Sequence, residues 1–407
     1  MKYFPLVLFT LFFTSNSYAE TELTLEESFQ KALLNNQVEN IKKAKIEQTN
    51  ESIVQNRAGL YPKISLKGVY TKQENLKDTR YANLNLTHTL FKGGRDLVAI
   101  DLAKNSNESA TLSGDQEKIN LYNNVINLFY GYALSLSEVK NLELLTKQSL
   151  ERVNEIQRRV AIGRSRMGEL LQAKAQMAQA NAQLLNAKGA LSEAREKFTT
   201  VIGVTDVTPS FDLEMKLNQS SLSQLLNQAQ SRPDIKLKEL KVSEANLNLS
   251  SARKSHLPTL DLTSNYYLTD RTGTSYTKTK WDAGLVLTLP LFEGFQTDAK
   301  VSEAVWKEHE ARYNYLDSKK TLEAELVSKI EIHNRYINQI DSFNEAVSMA
   351  KRSYDEALKD YRLGLISNLD VLTALNLYLD TKRNAEKNKI QAIQSEYVLR
   401  AALGVLP

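Results

Sequence analysis

The sequence predicts a mainly helical chain made of a duplicated helix-strand-strand-helix unit, with two pairs of strands set between very long helices. Three observations carry this reading: residues that recur at one fixed spacing, two long stretches without proline, and period-two alternation confined to four short segments.

The repeat comes first, because a missed repeat misassigns everything built on it. Leu90-Phe91-Lys92-Gly93 recurs as Leu291-Phe292-Glu293-Gly294, Ile162-Gly163 as Leu363-Gly364, and Ile202-Gly203-Val204 as Leu403-Gly404-Val405, each pair 201 positions apart. A constant offset over that distance gives both copies helices of equal length. Upstream, Arg57 and Pro62 match Arg253 and Pro258 at an offset of 196, so a five-residue difference falls within 63–89 against 259–290. Surface turns absorb insertions and packed helices do not, which puts a turn in each segment.

Taken in order, residues 1–19 carry Lys2, an apolar stretch from Tyr3 to Phe13 and a closing Ser17-Tyr18-Ala19. This is the layout of a secretory signal peptide, and it is too short for the roughly 20 apolar residues of a spanning helix. The first repeat is expected over 20–203, with strands at about 62–71 and 81–91, a long helix at about 95–162 and a return helix at about 168–202. A connector follows at 204–221. The second repeat, 222–407, repeats the order with strands at about 258–268 and 279–291, a long helix at about 295–362 and a return helix at about 369–403.

The helices rest on proline. It occurs only at 5, 62, 209, 233, 258, 290 and 407, and an interior proline costs a helix about 3 kcal/mol. A helix over 95–162 is about 100 Å long at 1.5 Å per residue, more than a compact globular domain needs. Ile330, His333, Ile337 and Ile340, then Phe343, Val347, Ala350, Tyr354, Ala357 and Tyr361, alternate three and four apart with one slip of phase. That is coiled-coil spacing, and it makes His333 a packed core residue. On the return helix Leu369, Leu372, Leu379, Ile390 and Ile393 form a comparable stripe.

The strands rest on alternation. Ile64, Leu66 and Tyr70 oppose Ser65, Lys67 and Thr71; Leu84, Leu86 and Leu90 oppose Asn83, Asn85 and Thr87; the second copy repeats this with Leu260, Leu262, Tyr266 and Leu268, then Trp281, Ala283, Leu285, Leu287 and Leu289. A half-buried sheet on helices and a transmembrane β-barrel both show such a pattern. Four strands cannot close a membrane barrel, which has at least eight, so a barrel would need further copies: two give eight strands and a filled interior, three give twelve and room for a channel.

The composition excludes several chemistries. The absence of cysteine removes disulfides, thiol nucleophiles and cysteine-ligated metals. A net charge of +4, with 52 basic and 48 acidic residues interleaved, gives no nucleic-acid stripe. His88, His256, His309 and His333 are scattered, and no phosphate loop, nucleophile elbow or dinucleotide fingerprint occurs. No catalytic residue, metal site or cofactor is expected, and the chain reads as a non-enzyme.

The chain closely resembles the TolC-like outer membrane efflux proteins. The resemblance rests on the signal peptide, the duplicated unit, the Leu-Phe-x-Gly junctions, the tip from Tyr361-Arg362-Leu363-Gly364-Leu365-Ile366 through Ser367-Asn368-Leu369-Asp370-Val371-Leu372, and the closing Ala402-Leu403-Gly404. It implies a homotrimer with a 12-stranded β-barrel in the outer membrane, continued by a long α-helical barrel into the periplasm, with an equatorial belt drawn from 204–221 and the start of the mature chain. It further implies a passive exit duct of a tripartite efflux or type I secretion system. Its partners would be outer membrane lipid, a periplasmic adaptor of the membrane fusion class and an inner-membrane pump of RND, ABC or MFS type. The branch with a lipid-bearing N-terminal cysteine is excluded.

The resemblance also places the site residues. The interhelical turns Gly163, Arg164, Ser165 and Arg166, and Gly364, Leu365, Ile366 and Ser367, are expected to contact the adaptor; the first departs from the usual apolar pattern through its two arginines. Asp370 matches a residue of the periplasmic constriction, and Glu169 is its repeat equivalent, so a trimer would hold six carboxylates at one level. A second family acid is replaced by Thr373. Tyr361 matches a gate-latch tyrosine with the Glu169 position as a partner, while the companion arginine is replaced by Ile366. Phe91, Gly93, Gly94, Phe292 and Gly294 form the strand-to-helix junctions. The rival readings are a periplasmic coiled-coil adaptor or scaffold without a pore, which lacks the strands, and a secreted enzyme, for which no constellation of residues exists.

Overall fold

The computed structural model describes residues 21–72, 74, 78–213, 222–269 and 279–407. The signal peptide of 1–19, most of the second hairpin turn and 214–221 of the connector lie outside these. The described chain divides into two units, and both long helices contribute to each.

One unit draws on Met1–Asn36, Asn124–Asn218 and Tyr336–Gln394. It opens with strand β1 (Thr21–Leu23) and helix α1 (Leu25–Asn35), whose start is fixed by a capping box between Thr24 and Glu27. The two Thr24 hydrogen bonds to the Glu27 carboxylate hold its pKa below the ordinary range. Strand β1 pairs in parallel with β4 (Val207–Pro209), so the start of the described chain is tied to the connector between repeats. At the far end of α1, the Asn35 and Asn36 side-chain amides donate to the Thr200 and Val201 carbonyls at the end of α4 (Met167–Ile202), at 2.8 to 3.1 Å. Those carbonyls have no partner inside their own helix.

An aromatic core fills this unit. Phe129, Tyr130 and Tyr132 of α3 (Arg95–Ala161) meet Phe198 of α4 and Phe211, with ring centroids 5.1 to 6.2 Å apart and mostly edge-to-face. Phe129, Tyr130 and Phe198 are buried. Rings offered edge to face gain beyond the area they bury.

The other unit draws on Gln37–Asn123, Gln219–Arg335 and Ser395–Pro407. Its antiparallel sheet has the order β2-β3-β5-β6, formed by Lys63–Thr71, Thr79–Lys92, Thr259–Tyr267 and Trp281–Thr288. Strand β6 stops at Thr288, short of the expected 291, because Pro290 has no N–H for a ladder. Among the described residues no further strand pairs with the outer edge of β2 or β6.

The two faces of this sheet differ chemically. On one, Asn83 and Asn85 donate to the Asn265 side-chain oxygen, and Asn265 and Tyr267 donate to the Asp282 carboxylate, all within 2.9 Å. On the other, Leu66 is 67% exposed, Trp281 67% and Leu287 68%, with Ile64 and Leu285 beside them. A contiguous apolar face of that kind marks an interaction surface.

The helices of this unit pack on one another. Helix α2 (Val38–Arg57) lies along α3 through Lys42 and Asp115 at 2.5 Å and Lys118 and Glu39 at 2.5 Å. Helices α5 (Leu222–Ala229) and α6 (Pro233–Arg253) pack on α7 (Gln296–Leu363) and the end of α8 (Asn368–Ala402). Ala229, Ile235, Leu322, Leu326, Ala402 and Leu403 form the core there. Arg232 closes it, donating to both Asp234 oxygens, Glu325 and the Ala402 carbonyl. Burial works against its charge, yet these acids hold its pKa above the ordinary value.

The expected core histidine is in place: His333 is fully buried, with Nδ1 2.9 Å from the Ser395 hydroxyl and Nε2 3.3 Å from Glu396. On the return helix Leu372, Leu379, Ile390 and Ile393 are buried, whereas Leu369 is exposed. Leu369 lies in the first turn, where the stripe has drifted off the packed face. Among the described residues no helix is long and apolar enough to cross a membrane.

Candidate functional site

The two interhelical tips are built alike. Each long helix ends in a glycine at positive φ, Gly163 at 72° and Gly364 at 78°. The next residue's N–H then reaches back five positions: Arg164 to the Arg159 carbonyl at 2.8 Å, and Leu365 to the Asp360 carbonyl at 2.9 Å. This is the Schellman ending, which needs a left-handed residue that glycine adopts without a Cβ penalty. Its recurrence at the 201-residue offset makes the tips a structural as well as a sequence repeat.

The return helices begin differently. Ser367 caps α8, and its N–H and hydroxyl both donate to the Asp370 carboxylate, at 2.9 and 2.7 Å. These bonds, the hydroxyl's first, hold the Asp370 pKa below its usual range, so this exposed group stays ionised. Arg166 stands at the equivalent cap of α4, and Glu169 instead accepts from the Ser165 hydroxyl. Arg164 and Arg166 are exposed, as are Leu365 and Ser367, with Ile366 half-buried. Thr373, where a second acid was absent from the sequence, turns its hydroxyl back to the Leu369 carbonyl at 2.9 Å.

Tyr361 is 5% exposed, and the structure brings two arginines to it. The Arg152 and Arg159 guanidiniums lie 4.1 and 4.3 Å from its ring centre. A cation on the face of an aromatic ring is worth more when desolvated, and Arg152 is only 6% exposed. Its Nε donates to the Asn368 side-chain oxygen at 2.6 Å, and its Nη1 to Glu155 at 2.8 Å. Helices α3, α7 and α8 are thus joined through one side chain. Two helical turns away, Tyr354 stacks on Tyr378 with centroids 6.3 Å apart. Burial pushes the Tyr354 hydroxyl up, against the opposing charge of Arg152.

Arg152 was missed in the sequence. The available signal was spacing: Arg152 and Arg159, like Tyr354 and Tyr361, are seven apart and share one helix face.

The strand-to-helix junctions also repeat. Gly93 has φ 64°, and a Cβ there would lie 2.9 Å from both Leu257 Cβ and the Lys254 carbonyl. Gly94 follows at φ 73°, and Gly294 has φ 62° in open space. Phe91 and Phe292 are exposed, and Phe292 meets Phe295 edge to face at 5.5 Å.

Known proteins share this architecture. The profile of the Outer membrane efflux protein family matches residues 29–204 and again 225–405, once for each repeat. TolC of Escherichia coli K12 is 24% identical over 434 residues, spanning 97% of this chain and 84% of TolC. The cation efflux system protein CusC of the same organism is 21% identical over 390 residues, spanning 92% and 84%. The crystal structure of the Campylobacter jejuni CmeC outer membrane channel superposes with a TM-score of 0.81 at 20% identity, over 93% of this chain and 85% of CmeC.

Proposed function

The chain belongs to the outer membrane efflux protein family, and from that premise we propose that three copies of it form a duct whose sheets close a 12-stranded barrel and whose helix tips form its periplasmic gate. It is a transport protein of the outer membrane and periplasm, not an enzyme. The observation that supports the trimer best is the sheet: four strands, one exposed apolar face and two free edges. Lipid tolerates no open edge, so further copies must complete the ring. Three copies give twelve strands, enough for an open interior.

At the gate, Asp370 and Glu169 bring six carboxylates to one ring of the trimer. Such a ring favours cations, and the Ser367 bonds keep the Asp370 charges in place. Arg152 holds Tyr361 and Asn368, so it ties α7 and α8 to α3. The tips offer the docking surface for a periplasmic adaptor coupled to an inner-membrane pump, which supplies the energy for transport. Of the relatives, CusC is by name a cation efflux system protein.

The test is single-channel recording of the purified protein in planar bilayers under a salt gradient. Wild type gives a cation-selective reversal potential, and the double variant Asp370→Asn with Glu169→Gln moves it toward zero. An unchanged reversal potential removes these carboxylates from the constriction.

A further inference from the structure

The repeat and the sheet together specify how neighbouring copies join. We propose that β6 of one copy, continued past Pro290 by residues 289–293, pairs with β2 of the next in the register that places Val286 opposite Val69 and Glu293 opposite Lys63; this rests on the trimer proposed above.

The template lies inside the chain. Strand β3 of the first repeat already pairs with β5 of the second, with Lys92 opposite Thr259, Phe91 opposite Leu260 and, past a bulge, Asn85 opposite Asn265. The next junction around a closed ring joins the second repeat to a first repeat, which is the same pairing of elements. Residues of β3 map onto β6 at the offset of 201, and residues of β5 onto β2 at 196. The hairpins verify both offsets: Lys63 opposite Thr87 in one becomes Thr259 opposite Thr288 in the other.

Applying the offsets gives Phe292 opposite Ile64, Leu289 opposite Leu66, Leu287 opposite Gly68, Leu285 opposite Tyr70 and Val286 opposite Val69. The bulge between Thr89 and Phe91 maps onto Leu291, beside Pro290, where a residue without an N–H is tolerated.

Hydrogen-bond parity supports this register independently. The Leu268 N–H donates to the Ala82 carbonyl and the Tyr267 N–H to the Lys280 carbonyl. Successive residues of an antiparallel strand turn their polar groups to opposite sides. Leu285 and Leu287 therefore present theirs to the free edge of β6, and Leu66, Gly68 and Tyr70 to that of β2. These are the residues the register sets opposite one another, with apolar side chains on one face. A slip of one residue would break both agreements at once. The helices follow suit: Asn105 of α3 donates to Ser243 of α6 at 3.0 Å, and the same mapping sets Trp306, 69% exposed, against Glu47 of the next copy.

Disulfide trapping tests the register, because the chain has no cysteine of its own. Val69 and Val286 form a pair without mutual hydrogen bonds, about 4.5 Å apart between Cα atoms, which suits a disulfide. Within one chain β2 and β6 are three strand spacings apart, about 14 Å, so any bridge is between copies. Oxidation of V69C/V286C in native membranes is expected to give reducible dimers and trimers, about tenfold more than V69C/G284C or V69C/T288C, whose partners sit on the diagonal. Trapping by a slipped pair while V69C/V286C stays silent overturns the register and leaves the assembly standing. Monomers from all three pairs overturn the assembly itself. Charge reversal is the second readout. K63E and E293K each lower the yield of heat-resistant trimer, and K63E/E293K restores it; a double variant no better than the singles contradicts the Lys63 and Glu293 pairing.

Discussion

Leu66→Arg removes the protein from the outer membrane. Leu66 lies near the middle of β2, on the exposed apolar face it shares with Ile64 and Leu287. An arginine at the lipid-facing midplane of a barrel strand costs about 2–4 kcal/mol, and a trimer bears it three times. The neighbouring Ser65→Arg projects to the opposite, polar face, where Asn85 and Asn265 form their hydrogen bonds. Comparing the heat-modifiable trimer in outer membrane fractions separates the two positions. Loss in L66R with retention in S65R is expected. Equal assembly of both variants contradicts a lipid-facing role for the apolar side.

Phe129→Ala has the second large effect, through stability. The ring is fully buried and contacts Tyr130, Phe198 and Phe211 at centroid distances of 5.1, 5.9 and 6.2 Å. Truncating a buried phenylalanine costs about 3–5 kcal/mol, because the site collapses only in part. Phe129→Leu keeps most of the volume and loses less. Thermal unfolding of the detergent-solubilised protein followed by circular dichroism should show a clear fall in Tm for F129A and a smaller one for F129L. A transition unmoved in F129A contradicts the assignment of this cluster as the core of its unit.

The duplicated fold is legible in the sequence because its markers are local: glycines that stop helices, prolines that bound strands, and alternation that needs only a short window. The paired strands β1 and β4 are not, since each has three residues and their partners lie nearly two hundred positions apart. At the tips, Gly163, Gly364, Glu169 and Asp370 stand out by residue type and by the offset. Arg152 does not. An arginine in a charged helix reads as solvated, and its burial comes from Tyr361 and Asn368 on other helices. Leu369 errs in the opposite direction, since a seam inferred from spacing does not register where its first turn leaves the packed face.

The claim that three chains complete one membrane pore is tested most directly by the native mass of the wild-type protein extracted in detergent from isolated outer membranes. A single species containing three chains is predicted. A monomer recovered without detergent from the periplasmic fraction would contradict it.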